Sequence, residues 1–163
     1  MISYQKMSRQ QISKLNPDKL PDFQQWKKVN NDDFSLWDYL FGVANVELAI
    51  AFTQLFWPDT IEHEGGIFLS SAFDRQIYEQ WKAKLGNDIT SIEQVINHQH
   101  IDDMLPGSEA VGTENIFYLG KAIAQMWESS LKLLYPQRRF EVNCDRVDYS
   151  VVVTFHQVRE YRC

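Results

Sequence analysis

Cysteine is scarce. Cys144 and Cys163 are the only two in 163 residues, with no CxxC spacing and too few partners for a zinc cluster. A reduced compartment asks nothing more of them, and no disulfide is required. The chain opens on "MISYQKMSRQQISKLN", polar throughout, without the apolar run that a cleaved secretion signal needs; the expectation is a cytoplasmic protein. The phosphate-binding patterns GxGxxG and GxxxxGK[ST] are missing, as is the GxSxG nucleophile elbow. HExxH is absent too, because "HEGGI" lacks the second histidine. No repeat or low-complexity segment occurs.

Positive charge is lacking in the middle of the chain. Residues 32–114 carry three Lys/Arg against fifteen Asp/Glu, whereas residues 1–31 carry six against two and residues 115–163 seven against five. An acidic middle repels a phosphate backbone, which excludes a general nucleic-acid binder. It suits a basic protein partner, or it serves solubility alone. What the chain does have is apolar material: 44% hydrophobic and 13% aromatic residues predict a packed domain.

Local patterns predict an α+β fold: a single domain with a buried central helix and amphipathic helices packed on a small antiparallel sheet, ending in a C-terminal hairpin. Residues 1–31 read as a loosely structured N-terminal arm, with a short helix near Ser8–Leu15, and residues 32–163 as the domain. "DDFSLWDYLFGVANVELAIAFTQLFWP" is apolar nearly all round, so it reads as one helix, capped by Asp33 or Ser35 and stopped by Pro58. Asp38, Asn45 and Glu47 interrupt it before it reaches membrane-spanning length, so no membrane is expected. "TIEHEGGIFL" reads as two strands joined at Gly65-Gly66.

Further on, Ser70 or Ser71 caps a helix with Phe73, Ile77, Trp81 and Leu85 on one stripe, ended by Gly86. Thr90 and Glu93 form a capping box for the next. A long helix from Thr113 turns Ile116, Leu119, Gly120, Ile123, Trp127, Leu131 and Leu134 inward. "RRFEVNCD" and "DYSVVVTFHQV" alternate as half-buried strands around a turn at residues 145–148.

Four histidines are present: His63, His98, His100 and His156. A metal-dependent or acid/base enzyme would centre on His63, His98 and His100. His98 and His100 share a face only if their segment is extended, and the helical signal upstream argues against it; no metal or other cofactor is therefore expected. Glu62 and Glu64 could form a catalytic carboxylate pair, but on a strand they read as edge charges. Arg138 and Arg139 could grip an anion; adjacent residues diverge, so one lies along the surface and one faces water. Trp57 beside Asp59, Glu62 and Glu64 reads as a protein-recognition patch.

The runs "LFWPDTIEHEGGIFL", "INHQHIDD" and "YPQRRFEV" resemble a family of uncharacterised bacterial proteins over roughly residues 34–145. No activity or catalytic residue is assigned to that family, so the resemblance implies none here. The expectation is a non-enzymatic protein-binding protein, of the immunity or inhibitor type, that meets a basic partner through Trp57, Asp59, Glu62 and Glu64. The alternatives are the histidine-centred enzyme and a structural module, which leaves a homo-oligomer open.

Overall fold

Ser35 opens the first long apolar segment. Its hydroxyl accepts from the Asp38 backbone N–H, and the Asp38 carboxylate accepts from the Ser35 N–H at 2.8 Å, a reciprocal cap. The computed structural model describes residues 14–148 and 150–159. In it this cap starts α2 (Leu36–Val43), preceded by α1 (Pro21–Val29). The helix does not run on to Pro58. Asn45 adopts extended backbone and its Oδ1 accepts from the Leu48 N–H at 2.8 Å, capping a separate helix, α3 (Val46–Phe56). The two axes bend by 118°. No residue of either helix is buried, so the expected buried central helix is instead an exposed pair. An all-round apolar pattern states that something must cover the helix; it does not state that the cover belongs to the same chain.

β1 (Thr60–His63) and β2 (Gly66–Leu69) form a hairpin in register Glu62 with Ile67 and His63 with Gly66. Its turn residues are Glu64 at φ 47° and Gly65 at φ 80°, one position earlier than the Gly65-Gly66 turn expected. Gly66 is a strand residue whose Cβ would stand 2.6 Å from the Phe68 ring. Asp74, not a serine, caps α4 (Arg75–Leu85). Phe73, Trp81 and Leu85 of the expected stripe pack against the core beside the fully buried Tyr78, while Ile77 is exposed. Asp88 caps α5 (Ile89–Ile96) through the Ser91 N–H. Thr90 is therefore not the cap, and Glu93 goes into the core.

After α5 come β3 (Gln99–His100), α6 (Ile101–Met104), a 3-10 turn at Ser108–Val111, α7 (Thr113–Leu134), β4 (Phe140–Val147) and β5 (Ser150–Gln157). β4 reaches Val147 and pairs it with Ser150 of β5, so the strand runs on through residues 145–147, where the turn was expected. The second sheet is antiparallel in the order β3-β5-β4. α7 lays Ile123, Trp127 and Leu131 on Val151, Val153 and Phe155 to form the main core. Gly120 permits the close approach, since a Cβ there would meet Cys144 Sγ at 2.8 Å and Val151 Cγ1 at 2.9 Å. Being central, β5 is buried on both faces rather than half-buried. The chain is a single α+β domain.

The two sheets are joined by side chains. Glu93, fully buried, accepts from the N–H groups of Ile67 on β2 and Gln157 on β5, each at 2.8 Å. Arg159 neutralises it at 2.7 Å. One turn on, Asn97 accepts from Leu69 N–H at 2.9 Å and donates to the carbonyls of Ile67 and Phe155. α5 thus supplies the bonds that a further strand would give to the inner edge of β2.

In the expected N-terminal arm, Asn16 and Asn115 of α7 exchange hydrogen bonds at 2.8 Å. The helix expected near Ser8–Leu15 falls almost wholly outside the described residues.

Candidate functional site

Short, separately capped helices give the molecule its most conspicuous surface. α2 is held to α1 through aromatic contacts: Trp26 lies against Phe34 and Tyr39, with Phe23 against the same two rings. Gly42 lets the Trp26 ring approach. α3 is held at its far end, where Leu55 and Phe56 reach the core and Trp127 Nε1 donates to the Leu55 carbonyl at 2.8 Å. Between these anchors, large apolar side chains face outward. Trp37 is 76% exposed, Phe41 89% and Val46 75%, and Leu40, Val43, Leu48 and Ile50 are exposed beside them. At the bend, Trp37, Leu40, Phe41, Ala44, Asn45, Val46 and Ala49 line a cleft of about 360 Å³.

Trp57 follows α3 directly and is 40% exposed. Asp59 is exposed as well. Glu62 meets Arg138 at 2.6 Å, and Glu64 accepts from Lys82 at 2.5 Å and from the Tyr78 hydroxyl at 2.9 Å. Lys82 holds the Glu64 carboxyl below its usual range, chiefly by that hydrogen bond. Burial, with Glu64 as the next cause, pushes the Tyr78 hydroxyl up to about 12. Both glutamates therefore face cations of their own chain. Arg138 also stacks on Tyr135.

The histidines fall into two groups. His63 contacts Phe73 and Tyr78, and one ligand atom each of His63, Glu64 and Glu79 lies within 4.8 Å of the others. His98 and His100 contact one another, ring centroids 5.0 Å apart. Among the described residues no contact joins His63 to that pair. α5 ends at Ile96 and β3 begins at Gln99, so the helical objection to a shared face for His98 and His100 does not hold.

Below His100 lies a polar cluster. Asp102 accepts from the hydroxyls of Ser108 and Ser150, and His100 Nδ1 is 3.1 Å from Ser150 Oγ. The cluster contains serine, histidine and aspartate, but not in the order of a nucleophilic triad. The serine stands between the other two and gives its proton to the carboxylate, so the imidazole does not activate it. Cys144 is buried, and burial pushes its thiol up to about 11, which suits packing and not attack.

Sequence reasoning marked Trp57, which is exposed, and passed over the apolar surface that leads to it. Ser35, Asn45 and the outward residues were all visible; a cap in mid-run was the signal for two helices. No curated protein and no solved structure matches this chain. A family model does, over residues 39–162, which include α3, both sheets and both histidine groups. The chain belongs to the Uncharacterized protein PM0498 family.

Proposed function

We propose that the chain is a non-enzymatic binding protein that captures a protein partner through the α2–α3 face, in the manner of an inhibitor or immunity protein. The observation that carries this is the apolar surface itself: eight large side chains of two helices, Phe52 among them, turned outward. Contiguous apolar patches beyond a few hundred Å² are uncommon on monomers and mark contact sites, and tryptophan anchors dominate such contacts.

Charge selects the occupant. From Asp32 to Asp74 the sequence has eight Asp/Glu and no Lys or Arg. Helices that lie on anionic membranes carry Lys and Arg on their polar face, so this face is wrong for one. Among the described residues no single helix is long and apolar enough to cross a membrane, and the pair that would be together is bent by 118°. A second copy would set acid against acid. A partner with an apolar surface rimmed by Lys and Arg fits both properties. Trp57 and Asp59 extend the contact beyond α3, with Glu62 and Glu64 at its margin.

The test uses two helical peptides, one with Leu and Lys in amphipathic spacing and one with Leu and Glu. The full chain binds the Leu/Lys peptide and not the Leu/Glu one, and Phe41→Ser with Val46→Ser, which leaves every charge in place, removes the binding. Binding indifferent to those substitutions overturns the proposal. So does tight association with anionic vesicles, or a dimer that the same substitutions dissolve.

A further inference from the structure

We infer that His98 and His100 form a binding site for a divalent transition-metal ion of the zinc class. His98 directly precedes β3, whose residues Gln99 and His100 pair with Val153 and Val152, which fixes His100 against β5. Two imidazoles sharing a tetrahedral ion at nitrogen distances of about 2.1 Å have their centroids about 5 Å apart. The two rings stand 5.0 Å apart.

The nitrogen that faces outward is set by the cluster beneath. Asp102 can only accept, and Ser150 has a single hydroxyl proton, which goes to Asp102. The 3.1 Å contact between His100 Nδ1 and Ser150 Oγ is therefore a donation from the ring. In the neutral ring Nε2 then has the free lone pair. Metal-binding histidines are commonly held this way, their second N–H engaged by a carboxylate or a group tied to one. Ser108 also donates to Asp102 and steadies the arrangement. Imidazole pairs suit zinc, copper and nickel over magnesium or calcium; water or a partner's donor completes the coordination.

The other cluster with ligand spacing, His63 with Glu64 and Glu79, is less suited. The Lys82 ammonium stands 2.5 Å from Glu64 and raises the positive charge where a cation would sit. His63 Nε2 has no hydrogen-bond partner there, which makes this cluster the necessary control.

Zinc alone is titrated calorimetrically into the full chain freed of any histidine tag, with cobalt absorbance as a second reading of coordination. One equivalent binds. His98→Ala, at an exposed position, removes it, and Ser150→Ala weakens it about 10-fold by releasing His100. Glu79→Gln leaves it unchanged. Absence of saturable binding, binding that survives His98→Ala in a folded chain, or binding lost on Glu79→Gln each overturns the assignment. Should Ser150→Ala fail to fold, His98→Ala and Glu79→Gln decide alone.

Discussion

Glu93 shows how much one side chain can settle. It is a charged residue with no exposed surface, reached by donors from β2 and β5 and by the Arg159 guanidinium. Removing one partner of a buried pair costs about 3–5 kcal/mol, because the other partner and the freed N–H groups are left unpaired. Glu93→Ala should lower urea stability by that order; a loss below about 1 kcal/mol would mean that water replaces the carboxylate at little cost. Asp102 offers a pH test. The Ser108 and then the Ser150 hydroxyl hold its carboxyl below the usual range. A depressed carboxylate contributes stability above its ordinary value and loses it as pH falls through the lowered one. The stability gap between wild type and Asp102→Asn should therefore be full near neutrality and close below about pH 4. A gap that widens on acidification would contradict the hydrogen-bonding pattern.

Elements differed in how legible they were. α7 was readable because its apolar spacing matches one face of a helix and that face is covered by its own sheet: Ile116, Gly120, Ile123, Trp127 and Leu131 are all buried. The C-terminal strands were readable from alternation. The ends of elements were not, since Asp74 and Asp88 compete for capping with nearby Ser and Thr of similar propensity. β5 read as half-buried because periodicity shows one covered face and cannot show that α5 covers the other. The α2–α3 pair was misplaced because burial depends on what is nearby, not on composition. Of the candidate surface, Trp57 stood out by its position among acids, while Trp37 and Phe41 were lost inside a run that looked like core.

Two glycines test the packing. Gly120→Ala should destabilise by about 1–3 kcal/mol through overpacking of α7 on β4 and β5, and Gly65→Val by about 1–3 kcal/mol through its positive φ. Both are read from urea midpoints, and unchanged midpoints would refute the close approach and the turn assignment respectively.

At the scale of the whole molecule, the charge map and the apolar map coincide. The segment without Lys or Arg contains the outward-facing helices. Exposed complementary charge raises association rates and is screened by salt, whereas a buried aromatic anchor acts on dissociation. Added salt should therefore slow association of the Leu/Lys peptide with little effect on its release, and Trp37→Ala should speed release. Glu62 and Glu64, already matched by Arg138 and Lys82, matter less than the uncovered helices do. The sharpest measurement labels the tryptophans with fluorine and follows each resonance as the Leu/Lys peptide is added. Trp37, 76% exposed, should shift strongly, Trp57 less, and Trp127, 2% exposed, not at all. A Trp37 resonance that stays in place at saturating peptide would contradict recognition through the α2–α3 face.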